Sequence, residues 1–267
     1  MARDNVRTEI GTVTTRHKLM KKPTVAEFTA AFGIAPSVLY NFNNSSGNVI
    51  NRVLPGTGDM VPPGGATLQG APVMDTGLFG AMGATDGNDG WASAPYAIYP
   101  GANSALLSVI CAPGSMGATA DNQCAFGLIA NAGSDYFMFR VTNGRLIQFL
   151  MRDGVNTKTL TVTSPPAGDV RPYCVIAGYD AGNGVVFIST NREAAFRNNA
   201  GPIGAWAGMV SVPTVRATNY TTGTNSERYG VAWAAYATGA GLNGISGSGG
   251  NFDPTVLDRI QRRFSWL

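Results

Sequence analysis

The stretch YFMFRVTNGRLIQFLM, residues 136–151, places two apolar runs on either side of Asn143-Gly144. An Asn-Gly pair tolerates the positive φ angles of a tight hairpin turn, so two strands folding back on each other are the expected local structure. The same pattern extends in both directions. Upstream lie ALLSVIC (105–111) and CAFGLIA (124–130); downstream lie KTLTVTS (158–164), PYCVIAGYD (172–180), VVFIST (185–190) and RYGVAWAAYA (228–237). Asp153-Gly154 and Gly182-Asn183-Gly184 supply further positive-φ turn positions. Strand and turn alternate every ~8–12 residues, the rhythm of an antiparallel sandwich or barrel rather than of βαβ units. Nearer the start, VLYNF (38–42) and VINRVL (49–54) flank a polar NNSSGN turn, and a Gly/Pro-rich stretch from Pro55 to Gly90 follows, with short strand candidates such as Ala66 to Leu68.

Two short helices bracket the β region. In Pro23 to Gly33, Thr24 and Glu27 form a T-x-x-E capping box, Gly33 offers a left-handed stop, and Val25, Phe28 and Phe32 share one apolar face. That face docks either on the chain's own sandwich or on a neighbouring subunit. Near the end, Asp253 is a good N-cap, Pro254 a good first helical residue, and Leu257, Ile260 and Phe264 make an apolar stripe that predicts a C-terminal helix.

A chain of 267 residues is within the range of one all-β domain. Only 13% of its residues are charged, about half the usual fraction. Such a surface is either covered by partners or solvated by Ser, Thr, Asn and Gly. The net charge of +3 is concentrated at the start, where Arg3, Arg7, Arg16, Lys18, Lys21 and Lys22 form a basic arm. Its lack of interleaved aromatic residues disfavours nucleic acid as partner and suits a solvated or partner-docked arm. Cys111, Cys124 and Cys174 lie in apolar runs and leave at least one thiol unpaired, which fits folding in a reducing cytoplasm. No secretory leader and no membrane-spanning run is expected.

Residues suited to catalysis are sparse. The only histidine, His17, sits in the basic arm, away from every strand, and the glutamates Glu9, Glu27, Glu193 and Glu227 show no alternate-position spacing of the kind a paired-carboxylate glycosidase uses on one strand. The expectation is therefore a protein without enzymatic activity. The densest polar cluster is Thr85 to Trp91, in which Asp86, Asn88, Asp89 and Trp91 can coordinate calcium and stack on a sugar, Asp86 and Asp89 being the metal ligands. The alternative is a Gly/Asp-rich turn with Trp91 entering the core. Asp180 and Asn183 form a second, weaker candidate of the same type.

From Pro36 to the C-terminus the order of segments resembles the laminin-G-like, concanavalin A-like jelly-roll domains carried by bacterial and bacteriophage surface proteins. VLYNFNNSSGNVINRV is similar to the opening strand and hairpin of that family, FMFRVTNGRLIQFL to its central hairpin, YCVIAGYDAGNGVVFISTN to its later Asp- and Gly-rich hairpin, and GVAWAAYATGAGL followed by FDPTVLDRIQRRF to its closing element. The resemblance implies an all-β antiparallel sandwich over residues 36–267, preceded by the arm and capped helix of residues 1–35, and roles in glycan binding, adhesion and assembly. Asn191-Arg192-Glu193 departs from the family's pattern, and residues 1–35 lie outside it.

Joined to the basic arm and the free thiols, this implies a bacteriophage virion protein assembled in the host cytoplasm, either a capsid decoration or cement protein or a tail-associated one. Its partners would be other virion proteins and copies of itself, with a trimer as the expected assembly and Arg3, Arg7, Arg16, Lys18, Val25, Phe28 and Phe32 as the assembly arm and helix. The alternative is a stand-alone lectin-like module that binds a surface glycan, with calcium as its one candidate cofactor.

Overall fold

The computed structural model describes residues 22–42, 48–61, 91–112, 123–130, 133–142, 146–162, 173–190, 197–199, 208–209, 211–217 and 230–246. Its first element is helix α1 (Val25–Phe32). The strands are β1 (Val38–Asn41), β2 (Met60–Val61), β3 (Trp91–Ser93), β4 (Ala105–Ala112), β5 (Gln123–Ala130), β6 (Asp135–Val141), β7 (Ile147–Asp153), β8 (Thr157–Val162), β9 (Tyr173–Asp180), β10 (Val185–Thr190), β11 (Arg197–Asn199), β12 (Thr214–Ala217) and β13 (Gly230–Thr238). They pair antiparallel into a six-stranded sheet, β1-β13-β4-β9-β10-β11, and a seven-stranded sheet, β2-β3-β12-β5-β6-β7-β8. The sandwich expected from the sequence is the fold observed.

Alternation along each strand divides the side chains between two faces. The inner faces supply the main core, in which Tyr40, Leu107, Val109, Val175, Val186 and Tyr236 of one sheet meet Phe126, Leu128, Phe137, Phe139, Phe149 and Val215 of the other. Edge-on ring contacts join them: Phe137 meets Phe149 at 4.9 Å and Tyr236 at 6.0 Å between centroids. Two bulges reset the alternation. In β5 the register slips between Cys124 and Phe126, which returns Phe126 to the core. In β13 it slips between Val231 and Trp233, so that Trp233 leaves the core side and faces outward.

Trp233 is the anchor of helix α1. The outer face of the six-stranded sheet is apolar, with Leu39, Leu106, Ile110, Cys174, Ile176 and Phe187 around Trp233, and Phe28 and Phe32 of the helix pack into this cluster. The Phe28 ring lies 6.3 Å from that of Trp233, and the buried indole Nε1–H donates to the Pro23 carbonyl at 2.9 Å. Full burial of Phe28 is worth about 2–3 kcal/mol. The capping box forms as expected: the Glu27 amide donates to Thr24 Oγ1 at 3.2 Å, and the Thr24 amide to Glu27 Oε2 at 3.0 Å. Gly33 closes the helix at φ 74°, its amide donating to the Thr29 carbonyl.

Several local expectations need correction. VINRVL is not a strand: Asn51 and Val49 make isolated bridges to Tyr40 and Met60, so this segment links the edges of the two sheets. The buried Asn51 side chain fixes it there, accepting from the Leu39 and Val53 amides and donating to the Thr57 carbonyl. Strands β2, β3, β11 and β12 have no counterpart in the sequence reading. Of the hairpin glycines, Gly154 and Gly184 adopt positive φ (85° and 63°), but Gly182 does not. Gly182 sits in a tight place instead, since a Cβ there would lie 3.1 Å from the Asn243 Cβ. The segment 66–68, the Asn143-Gly144 turn and the expected C-terminal helix, with Leu257, Ile260 and Phe264, lie outside the described residues.

Candidate functional site

The two outer sheet faces differ in chemistry. On the seven-stranded sheet, residues opposite in parity to the core phenylalanines project outward: Tyr136, Met138 and Arg140 from β6, Gln148, Leu150 and Arg152 from β7, Thr157, Thr159 and Thr161 from β8, and Thr214 and Arg216 from β12. Ile129, Tyr136, Met138 and Leu150 form a small buried cluster on this face. Around it Arg140, Gln148, Arg152, Thr161, Thr214 and Arg216 are half-buried, while Thr157 and Thr159 are exposed.

The register sets these groups in rows. Arg140, Gln148 and Thr161 are cross-strand neighbours, and their side chains are joined: Arg140 Nε donates to Gln148 Oε1 at 2.8 Å, and Gln148 Nε2 donates to Thr161 Oγ1 at 3.1 Å. One strand-width apart, such groups are held as a fixed array of donors and acceptors rather than as independent side chains. Two residues further along, Met138 lies opposite Gly127, where a Cβ would stand 2.3 Å from the Met138 Cβ. In the row beyond, Arg152 lies between Tyr136 and Thr157. Across the sheet, Arg216 Nε donates to Thr214 Oγ1 at 3.1 Å. The array therefore presents guanidinium, amide and hydroxyl groups, and no Asp or Glu side chain projects from it among the described residues.

The residues picked out from the sequence lie elsewhere. Asp180 closes β9 and is fully buried. Its Oδ1 accepts from the amides of Gly182, Asn183 and Gly244, at 2.9, 3.2 and 3.0 Å. Its Oδ2 accepts from Asn183 Nδ2, the Ser246 amide and Ser246 Oγ, at 3.0, 3.0 and 2.6 Å. Burial pushes this carboxyl up, but the bonds from Ser246, Gly244 and Asn183 outweigh it and hold it below the usual carboxylate range. Six donors converging on one carboxylate leave it no role as a cation ligand. It fastens the β9–β10 turn to the segment after β13. Asn183 is exposed in that turn, and its Nδ2 also donates to Ser246 Oγ.

Asp86, Asn88 and Asp89 lie outside the described residues; the backbone of Trp91 belongs to β3, paired with Ala217. Among the described residues no three His, Cys, Asp or Glu side chains come together as a metal site. Arg3, Arg7, Arg16 and Lys18 also lie outside. Of the remaining assembly candidates, Phe28 and Phe32 are taken up by the chain's own sheet, with Val25 packed against the same cluster. Cys111 and Cys174 are buried thiols outside any disulfide. Burial pushes the Cys174 thiol up to about 12, and the Cys111 thiol rises through burial and then through the neighbouring Cys174. Neither is a thiolate nucleophile at neutral pH. No helix among the described residues is long and apolar enough to cross a membrane.

No protein-family model and no curated protein matches the chain. Solved structures do. The ligand-binding domain of botulinum neurotoxin serotype D, determined in complex with N-acetylneuraminic acid, superposes with a TM-score of 0.55 at 9% identity, over 88% of this chain and 52% of that one. The CBM40 of the Ruminococcus gnavus IT-sialidase, bound to α2,3-sialyllactose, gives 0.40 at 11% identity over 58% and 88% of the two chains. The NanB sialidase of Streptococcus pneumoniae gives 0.40 at 9% identity over 51% and 22%. The chain spans 22% of each of three NanB chains and 42% of a further structure, the W1252A mutant of HCR D/C VPI 5995. At 9% identity the likeness is one of fold alone: this chain is an antiparallel β-sandwich that shares its fold with about half, 52%, of that neurotoxin chain.

Proposed function

We propose that this protein is a non-enzymatic carbohydrate-binding module whose binding surface is the outer face of the seven-stranded sheet. The observation that carries the reading is the hydrogen-bonded row Arg140–Gln148–Thr161, which sets polar groups in fixed positions on a sheet whose other face supplies the phenylalanines of the core. Sugars are recognised by such preorganised donors and acceptors, because each hydroxyl must exchange a water for a partner of defined direction. A neurotoxin ligand-binding domain of which about half, 52%, shares this fold was determined in complex with N-acetylneuraminic acid, and that likeness in fold is the further support for the reading.

Screening the protein on a glycan array, followed by titration calorimetry on the hits, tests the proposal. The expected result is binding that Gln148→Ala combined with Thr161→Ala weakens at least 10-fold while the circular dichroism spectrum is unchanged. Binding that survives the double substitution would refute this surface as the site. Binding abolished by a calcium chelator would move it to the Asp86, Asn88, Asp89 and Trp91 loop instead. The bacteriophage virion reading stays a second proposal. With Phe28 and Phe32 buried in their own chain, it rests on the basic arm of Arg3, Arg7, Arg16 and Lys18, and the solution mass with and without residues 1–21 tests it.

A further inference from the structure

Resting on the reading just given, we infer that the sugar carries an oxyanion, a carboxylate or a sulfate ester, and that Arg152 is the residue that reads it. The seven-stranded sheet carries Arg140, Arg152 and Arg216 on its outer face, with no carboxylate projecting from that face among the described residues. Arg140 and Arg216 are engaged with neighbours, so the guanidinium with donors to offer an anion is that of Arg152.

Arg152 differs from its surroundings in how little of its donor capacity is used. Its guanidinium donates one long bond, from Nη2 to the Gly154 carbonyl at 3.4 Å, and its buried Nε finds no acceptor. The buried Nε is out of a ligand's reach, so a sugar would meet this guanidinium through its two Nη groups, of which only Nη2 makes a bond within the protein, the long one to Gly154. The end of a guanidinium formed by Nη1 and Nη2 presents two parallel N–H groups, which match two oxygens of a carboxylate or sulfate. The position is held from both sides by the cross-strand neighbours Tyr136 and Thr157, the latter exposed and able to meet a sugar hydroxyl. Arg140 lies on the next strand, beside Gln148. Gln148 is four residues from Arg152, or about 13 Å at the usual rise of ~3.3 Å per residue. That separation suits an acidic sugar on Arg152 and a neighbouring ring on the Arg140–Gln148–Thr161 row.

Titration calorimetry of the full chain against N-acetylneuraminic acid, its methyl ester, glucuronic acid and galactose 6-sulfate tests the inference at two salt concentrations. At least one acidic sugar should bind about 10- to 100-fold more tightly than the neutral ester or free galactose, the gain expected of a charge-assisted, two-pronged bond, with the difference shrinking in high salt. Relative affinity for the carboxylates and the sulfate identifies which oxyanion is preferred. Arg152→Gln should remove the preference and leave neutral-sugar binding in place, and Arg152→Lys should restore part of it. In the unsubstituted protein, the Arg152 Nε–Hε NMR resonance should shift on saturation, a readout that needs no variant to fold. Equal binding of acidic and neutral sugars would overturn the inference while leaving a carbohydrate-binding module. An acid preference that persists in Arg152→Gln, or an unmoved Nε–Hε signal, would overturn the assignment to Arg152. Failure of every sugar to bind would overturn both this inference and the reading beneath it.

Discussion

Replacing Asp180 by Asn changes one oxygen to an amino group and leaves the volume almost unaltered, so any effect comes from hydrogen bonding and charge. The new NH2 must displace either Oδ1, which faces the amides of Gly182, Asn183 and Gly244, or Oδ2, which faces Asn183 Nδ2, the Ser246 amide and the Ser246 hydroxyl. The second orientation is the cheaper because the hydroxyl can turn and accept. Two donors still lose their acceptor, at about 1–3 kcal/mol each, and the bonds that remain are no longer charge-assisted. The sum is a destabilisation of about 3–5 kcal/mol, a large part of the ~5–15 kcal/mol that holds a typical domain together. Urea unfolding followed by tryptophan fluorescence at about pH 7 measures it. Because the folded carboxyl lies below its unfolded value, the stability it contributes is fully present above the usual carboxylate pKa of ~3.9 and is lost as pH falls through the lower folded value. The gap between wild type and Asp180→Asn should therefore close in acid. A gap under about 1 kcal/mol at neutral pH, or one that persists undiminished at about pH 2, would show that the network is not the clasp described here.

Phe28→Ala should cost about 3–5 kcal/mol through the cavity left beside Trp233, and the tryptophan emission should shift to longer wavelength as helix α1 loosens; an unshifted spectrum with unchanged stability would mean that the helix does not depend on this contact. Gly127→Ala should destabilise by about 1–3 kcal/mol, because its methyl would stand 2.3 Å from the Met138 Cβ and 2.7 Å from its Cα, and thermal unfolding should show no rescue when Met138→Ala is added, since alanine keeps both atoms.

The architecture was legible wherever turn chemistry and apolar runs coincide. Asp153-Gly154 and Gly182-Asn183-Gly184 mark hairpins that the structure contains, and the runs they separate became β7, β8, β9 and β10. Thr24, Glu27 and Gly33 fixed both ends of helix α1. Illegible were the strands with no local signature: Met60–Val61, Trp91–Ser93, Arg197–Asn199 and Thr214–Ala217 are two to four residues long, and their extended conformation is imposed by neighbours far away in sequence. Bulges were equally hidden. Reading β13 as a regular strand assigns Trp233 to the same face as Val231, and only the extra residue between them turns the indole toward the helix.

The same reasoning explains why the candidate site escaped a reading for clustered residues. Arg140, Gln148, Arg152 and Arg216 are scattered through the sequence, whereas the polar residues of 85–91 and 180–184 are contiguous. A signal did exist in YFMFRVTNGRLIQFLMRD. Once the hairpin register is set by pairing Val141 with Ile147, Arg140, Gln148 and Arg152 fall on the parity opposite to Phe137, Phe139 and Phe149. Three polar, hydrogen-bonding side chains on the outward parity of two adjacent strands predict an array before any coordinates exist.

The division of labour between the two outer faces makes the assignments separable. The six-stranded sheet spends its outer face on stability, burying Trp233, Phe187 and Ile176 with helix α1 packed into the same cluster, whereas the seven-stranded sheet keeps polar groups outward at the cost of an unsatisfied Arg152 Nε. Between them lies the shared core of Phe137, Phe149 and Tyr236, which neither set of outward residues enters. Substitutions on distant faces with no common partner act independently to within a few tenths of a kcal/mol. Phe28→Ala should thus lower stability without altering affinity at temperatures where the protein remains folded. Arg152→Gln should alter affinity without lowering stability, because it removes the buried Nε donor that has no acceptor. A protein in which both substitutions moved both quantities would not have two faces with separate tasks.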